Sequence, residues 1–266
     1  MIDIPRKANK SLFFIMFLII SLSPDTLFFG TNANEITSII RKVTPLVMLV
    51  YFGGNVLLFR KRINRNAIYV FLILSLLLLL TAVFTGSINY INNYIYTICV
   101  MAAVMTMIEM YSFNETAIAF EKVIFFYAVT SLVIFVTALI LPSFIMRFPT
   151  IVNTAGGEYY WCIISSVAKH INPYYLRNES IFREAGVFQI YLNLALLIYL
   201  RLGEQNIKSK RRKIAIYIVA VCSTVSVAGI FSMAAILVVS IFGKKTLKGD
   251  TGSKIIILAL CIIGAV

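Results

Sequence analysis

The sequence predicts an all-α fold, a polytopic membrane bundle of about nine helical spans with one long external loop between the fifth and the sixth. Three observations predict it. Of 266 residues, 60% are hydrophobic and only 13% are charged, against about half and about a quarter in a soluble domain. The apolar residues come in long runs, and a bilayer accepts an apolar surface on every side of a helix that satisfies its own backbone. The Lys and Arg residues fall in short clusters between those runs, the distribution that orients membrane segments.

Taken in order, the apolar runs place helices at 11–29, 43–59, 67–86, 94–111, 123–146, 185–200, 214–225, 228–243 and 255–266. The charged start, Met1 to Lys10, and the run Leu12–Ile20 have the form of a secretory signal. Leu27, Phe28 and Phe29 extend the run, which favours an uncleaved first helix that starts in the cytoplasm. Pro24, Pro45 and Pro142 fall near helix ends, where a missing amide donor costs least. No internal repeat is visible, and residues 1–266 read as a single transmembrane domain.

With the N-terminus inside, the loops Arg6–Lys10, Arg60–Arg65, Ser112–Lys122, Arg201–Lys213 and Lys244–Lys254 are cytoplasmic and hold 18 of the 24 basic residues. The outer loops hold the other six, Arg41, Lys42, Arg147, Lys169, Arg177 and Arg183, as the positive-inside rule requires. Residues 214–243 read as two short spans joined at Ser223-Thr224-Val225-Ser226, because a single span would move four lysines outside. The first of these arms, about 12 residues, reaches only ~18 Å, so bilayer thinning, snorkelling by Arg212 and Lys213, or a re-entrant fold must make up the rest. On this topology Asn153 and Asn178 are accessible from outside, and Lys61, Lys210 and Lys248 from inside. The last run, 255–266, is short for a span, which predicts further helices beyond Val266.

The same composition excludes other classes. A net charge of +13 without a Gly-rich phosphate loop or a basic stripe interleaved with aromatics gives nucleic acid no site. Cys99, Cys162, Cys222 and Cys261 are scattered and His170 is the single histidine, so no metal site, cofactor or structural disulfide is expected. Glu109 and Asp25 fall near helix ends at the interfaces. The spans at 67–86 and 123–146 carry no ionisable group but Tyr, which leaves a transporter, with its midplane charges and repeat symmetry, without its usual signs.

The external loop, residues 147–184, is long enough to be functional. It has two readings. As a solvated cap it would pair Arg177 with Glu179 and Arg183 with Glu184. As a site it would use Arg177 and Arg183, standing at the start of a helix whose free amides face outward, to grip a phosphate. Tyr159, Tyr160, Trp161, Tyr174 and Tyr175 in the same loop either stack on sugar rings or form an interfacial belt.

The stretch Arg177-Asn178-Glu179-Ser180-Ile181-Phe182-Arg183-Glu184-Ala185-Gly186-Val187-Phe188-Gln189, continued by Ile190 to Leu196, resembles the signature region of bacterial O-antigen polymerases and related exopolysaccharide polymerases. In that family an Arg, a short apolar stretch and an Arg-Glu-Pro-Gly-like turn precede a helix. Here Ala185 stands in place of the usual Pro, and Glu179 where a Gly is common. The basic run Lys208–Lys213 and the Ser/Thr-rich break at 223–226 follow in the family's order, so the resemblance covers roughly residues 175–243.

The resemblance implies metal-independent glycosyl transfer at the outer face of the bacterial cytoplasmic membrane. A glycan on polyprenyl pyrophosphate would move onto a lipid-linked oligosaccharide repeat unit, with a flippase and a chain-length regulator as partners beside membrane lipid. Arg177 and Arg183 would hold the pyrophosphate and stabilise its developing charge. Glu184 would fix Arg183 or serve as a base, and Gly186, Arg147, Tyr160 and Trp161 would contact substrate. The family's second external loop would follow Val266, and His170 reads as an ordinary loop residue. An O-antigen ligase, which shares the arginine loop, is the alternative within the superfamily.

Overall fold

The computed structural model describes residues 10–23, 25–27, 35–59, 63–84, 91–152, 157–169, 176–202 and 207–246. The run expected at 255–266, and with it Asn153, His170, Tyr174, Tyr175, Lys61, Lys248 and Cys261, lies outside those residues. Of the described residues, 78% are helical. Among the described residues, three helices are long and apolar enough to cross a membrane: Arg65–Phe84, Phe113–Ile140 and Ala185–Leu202.

The helices fall into two compact units. One contains α2 (Glu35–Leu58), α3 (Arg65–Phe84) and α4 (Ile91–Met110), with α4 packed on both of the others. Asn64 caps α3, its Oδ1 accepting the Asn66 amide (2.9 Å), while its own amide donates to Glu109 Oε1 of α4 (3.0 Å). Of the α3 side chains only Ala82 is buried. Most of its leucines are exposed, a surface that hydrocarbon can accept.

The other unit contains α1 (Lys10–Ser21), α5 (Phe113–Ile140) from Ala117 onward, the short α6 (Pro142–Ile145), and strands β1 (Thr150–Val152), β2 (Glu158–Trp161) and β3 (Ser166–Ala168). It continues with α7 (Ala185–Leu202), α8 (Ile207–Ser223) and α9 (Val227–Thr246). The strands form an antiparallel sheet in the order β1-β2-β3, with Tyr160 opposite Thr150 on one side and Val167 on the other. Tyr160, Cys162, Val167 and Leu176 pack with Ala138 of α5 and Ile145 of α6 in one core, so the sheet sits on the end of α5. Sequence reading placed no strand here, since β-branched and aromatic runs of three or four residues are too short to show a period.

Several helices start earlier than expected because charged residues that look like loop lie on helices. Arg41 and Lys42 are helical, so Pro45 is inside α2, not at its end. Lys208 to Lys213 form the first turns of α8. Helix α5 begins ten residues before the expected 123, started by a capping box. The Ser112 Oγ donates to Glu115 Oε2 (2.8 Å) and accepts the Glu115 amide (3.3 Å), while the Ser112 amide donates to the same carboxylate (2.9 Å). Conversely α1 stops at Ser21, and Thr26 pairs as an isolated bridge with Phe182 instead of continuing the helix. The break between α8 and α9 falls at Thr224–Ser226, where Ser and Thr hydroxyls predicted it.

Candidate functional site

The segment Arg177–Glu184 has no regular structure, yet it is tied to four other parts of its unit. Asn178, 3% exposed, donates from Nδ2 to Ser131 Oγ of α5 (3.1 Å) and to Ser223 Oγ at the end of α8 (2.9 Å). Its amide donates to Ser223 O (3.0 Å), and its Oδ1 accepts the Ser180 amide (3.2 Å). The Ser180 carbonyl accepts both the amide and the hydroxyl of Ser166 on β3, each at 2.7 Å. On the far side, Leu27 N donates to Ile181 O (2.7 Å) and Arg183 N to Asp25 O (3.0 Å). Asn178 was expected to be accessible; its burial corrects that, and the accessible neighbour is Arg177.

Phe182 anchors the centre of the segment. Fully buried, it stacks on Phe188 (5.3 Å between centroids), tilts against Tyr191 (4.6 Å) and meets Tyr127 edge-on (6.4 Å). Such ring pairs contribute about 0.5–1.5 kcal/mol each beyond the area they bury. Tyr191 donates in turn to Asp25 Oδ2 (2.7 Å), so Asp25 holds the segment twice, through its carbonyl and through its carboxylate.

The same junction gathers the backbone strain. Among the described residues, the non-glycine residues with positive φ are Ile163 (66°), Ser180 (52°) and Val225 (51°). Ile163 lies in the turn between β2 and β3, Ser180 in the arginine segment and Val225 in the break after α8, and the Ser166–Ser180 and Asn178–Ser223 bonds link all three turns. A left-handed conformation in a β-branched residue is an outlier that costs on the order of 1–3 kcal/mol and tends to mark functional regions.

Exposure alternates along the segment. Arg177, Arg183 and Glu184 are exposed; Asn178, Ser180 and Phe182 are buried; Glu179 is half-buried. The ion pairs among the described residues are Lys169–Glu158 across the sheet and Lys213–Glu121, so neither guanidinium pairs within 4.0 Å with Glu179 or Glu184. Phe182 N donates to Glu179 O (3.0 Å), closing a turn over Ser180. Helix α7 then starts at Ala185, where the Val187 and Phe188 amides both donate to Glu184 O at 3.1 Å. Glu179 Oε2 is enclosed with no hydrogen-bond partner among the described residues. Burial pushes its carboxyl up to about 7, with Arg177 opposing and Glu184 adding to the shift.

The remaining sequence candidates are dispersed. Arg147 is exposed at the turn leaving α6. Tyr160, 7% exposed, belongs to the core under the sheet, so protein covers its ring. Trp161 is half-buried, its Nε1 donating to Ile163 O (3.0 Å). It lines a largely apolar cavity of about 180 Å³ with Phe17, Tyr127, Ile163, Ile164 and Ile181. A Cβ on Gly186 would meet open space. Burial pushes the Cys162 thiol up to about 11, which leaves it unreactive. Among the described residues no three His, Cys, Asp or Glu side chains converge as a metal site.

Two features escaped sequence reading. Asn178 gave no local signal, because its partners are 45 and 47 residues away. Glu121, taken as part of a cytoplasmic loop, is buried on α5, where Oε1 accepts from Lys213 Nζ (3.4 Å) and from the Tyr217 hydroxyl (2.9 Å). The Lys213 ammonium also lies over the Phe125 and Tyr199 rings, 4.7 and 4.8 Å from their centroids. The capping box at Ser112 and Glu115 was the sequence signal that puts Glu121 two turns inside a helix. Compared with known proteins, the chain matches no family model, no characterised protein and no solved structure.

Proposed function

We propose that the chain spans the bacterial cytoplasmic membrane about nine times and polymerises polyprenyl-pyrophosphate-linked oligosaccharide repeat units at its outer face. The observation that carries this reading is the pairing of a fixed backbone with free cations. Arg177 and Arg183 are exposed and outside any salt bridge among the described residues, on a segment held by Asn178, Ser180 and Phe182. A solvated cap would let its arginines pair with the neighbouring glutamates. Two guanidiniums held ready suit a pyrophosphate, whose charge grows as it leaves. Arg177 and Arg183 bind and stabilise the leaving group, and the room beside Gly186 lets substrate approach the start of α7. A flippase would deliver the repeat unit, and a chain-length regulator would set the product size.

The test is the glycan ladder made by full-length variants at matched membrane level in cells lacking the native protein. Arg177→Ala and Arg177→Lys should both abolish long chains and leave single-repeat products, because Lys lacks the planar pair of donors. Wild-type ladders from Arg177→Ala would remove the assignment.

A transporter is the second reading, favoured by one observation: the pair of buried Glu121 and half-buried Lys213 on helices α5 and α8. It requires solute flux that Glu121→Gln abolishes, with glycan ladders independent of Arg177.

A further inference from the structure

We propose that Glu179 is the general base of this site, taking the proton of the acceptor hydroxyl as the new glycosidic bond forms. The inference rests on the glycosyl-transfer reading and adds to it a residue that the resemblance does not supply, since the family commonly has Gly at that place. Geometry singles out Glu179 among the carboxylates nearby. Asp25 is committed to the Tyr191 hydroxyl, and Glu184 is exposed at the helix start. Glu179 alone combines an enclosed oxygen that has no hydrogen-bond partner among the described residues with a residue that is only half-buried.

Its backbone is fixed by the turn that Phe182 N closes on Glu179 O (3.0 Å) and by the left-handed Ser180. The charges that act on its carboxyl are those of Arg177 and Glu184. Asp25, from the loop after α1, and Arg183 are further charged groups at the segment among the described residues. An enclosed carboxylate with no donor holds its proton more tightly than a solvated one, and a proton affinity near neutrality suits a base that works at neutral pH.

The step balances within the site. The acceptor oxygen attacks the anomeric carbon, its proton passes to Glu179, and the bond from that carbon to the pyrophosphate oxygen breaks. The electron pair leaves on the pyrophosphate, beside Arg177 and Arg183. Glu179 then returns the proton to solvent or to the departing pyrophosphate.

The experiment measures transfer rate against pH in membranes carrying the full chain, supplied with polyprenyl-pyrophosphate-linked repeat units. The wild type should lose activity as pH falls through about 7. Glu179→Gln, which keeps shape and removes the base, should lower the rate by about 100-fold or more and abolish that acid limb. Glu179→Asp should recover part of the rate and keep an acid limb at a shifted pH, whereas Glu184→Gln should retain the limb. A wild-type rate, or an unchanged acid limb, in Glu179→Gln overturns the proposal. If Glu179→Gln fails to accumulate, an acid limb in Glu179→Asp identical to that of wild type overturns it instead. Activity in Glu179→Gln combined with loss in Arg177→Ala removes the base alone, while no transfer by the wild-type chain removes the glycosyl-transfer reading itself.

Discussion

Helices α3 and α7 are both long and apolar enough to cross a membrane, and they are built for different neighbours. On α3 a single residue, Ala82, is buried, and leucines such as Leu76 and Leu77 are more than half exposed. On α7 eight residues are buried, among them Gln189 and Asn193. Asn193 Nδ2 donates to Gln189 Oε1 and to Gly229 O of α9, each at 3.0 Å. The less apolar helix is therefore the better packed. Hydropathy reports how well a helix tolerates lipid, whereas polar side chains report where helices meet. The candidate site begins where α7 begins.

The sharpest break of this contrast is at Gly229. A Cβ there would lie 2.9 Å from Gln189 Oε1 and 3.0 Å from its Cβ and Cγ. Gly229→Val should cost about 3 kcal/mol, read as loss of folded protein in detergent on heating, with Gly229→Ala intermediate. Next comes Asn178, which ties the arginine segment to α5 and α8. Asn178→Ala removes three side-chain bonds and should cost about 2 kcal/mol, and it should lower activity more than its effect on protein level explains.

Glu179 sharpens the contrast through pH. Its folded pKa, about 7, lies above the 4.5 of an unperturbed glutamate, so the unfolded chain loses this proton first as pH rises. Stability from this group is therefore complete below about pH 4.5 and lost as pH rises to about 7. Glu179→Gln does not titrate. It should match wild type at pH 4.5 and exceed it at pH 8 by about 1–2 kcal/mol, reduced from the full shift by partial exposure. The smallest effect belongs to α3: Leu76→Ala, on the outward face, should change stability by less than about 0.5 kcal/mol. A larger loss would mean that the face of α3 carrying Leu76 also meets protein.

The long apolar runs were legible because one property, lipid tolerance, sets them residue by residue. Helix starts were less so. Arg41, Lys42, Glu121 and the cluster at Lys208–Lys213 mark polar surface, and Lys, Arg and Glu are good helix formers as well as loop residues. Of the candidate site, the exposed arginines could be read directly from the chain. The anchors could not, since Asn178 and Ser180 acquire meaning only from Ser131, Ser166 and Ser223, brought together by folding. Tyr160 shows the converse: an aromatic in a loop invites a ligand, and the structure places it in a core.

The amide pair on α7 bears on how the chain is made. Gly229, whose carbonyl Asn193 uses, follows it by 36 residues. At ~5–20 residues per second, Asn193 is synthesised some seconds before that acceptor exists. During the interval Gln189 and Asn193, one helical turn apart, can already satisfy part of each other's demand, because their mutual bond needs no third element. The helix thus carries its own temporary partner into the bilayer, and the arrival of α9 completes an arrangement already half made. Replacing Gln189 by Leu removes that partner, so Asn193 then depends on Gly229 alone.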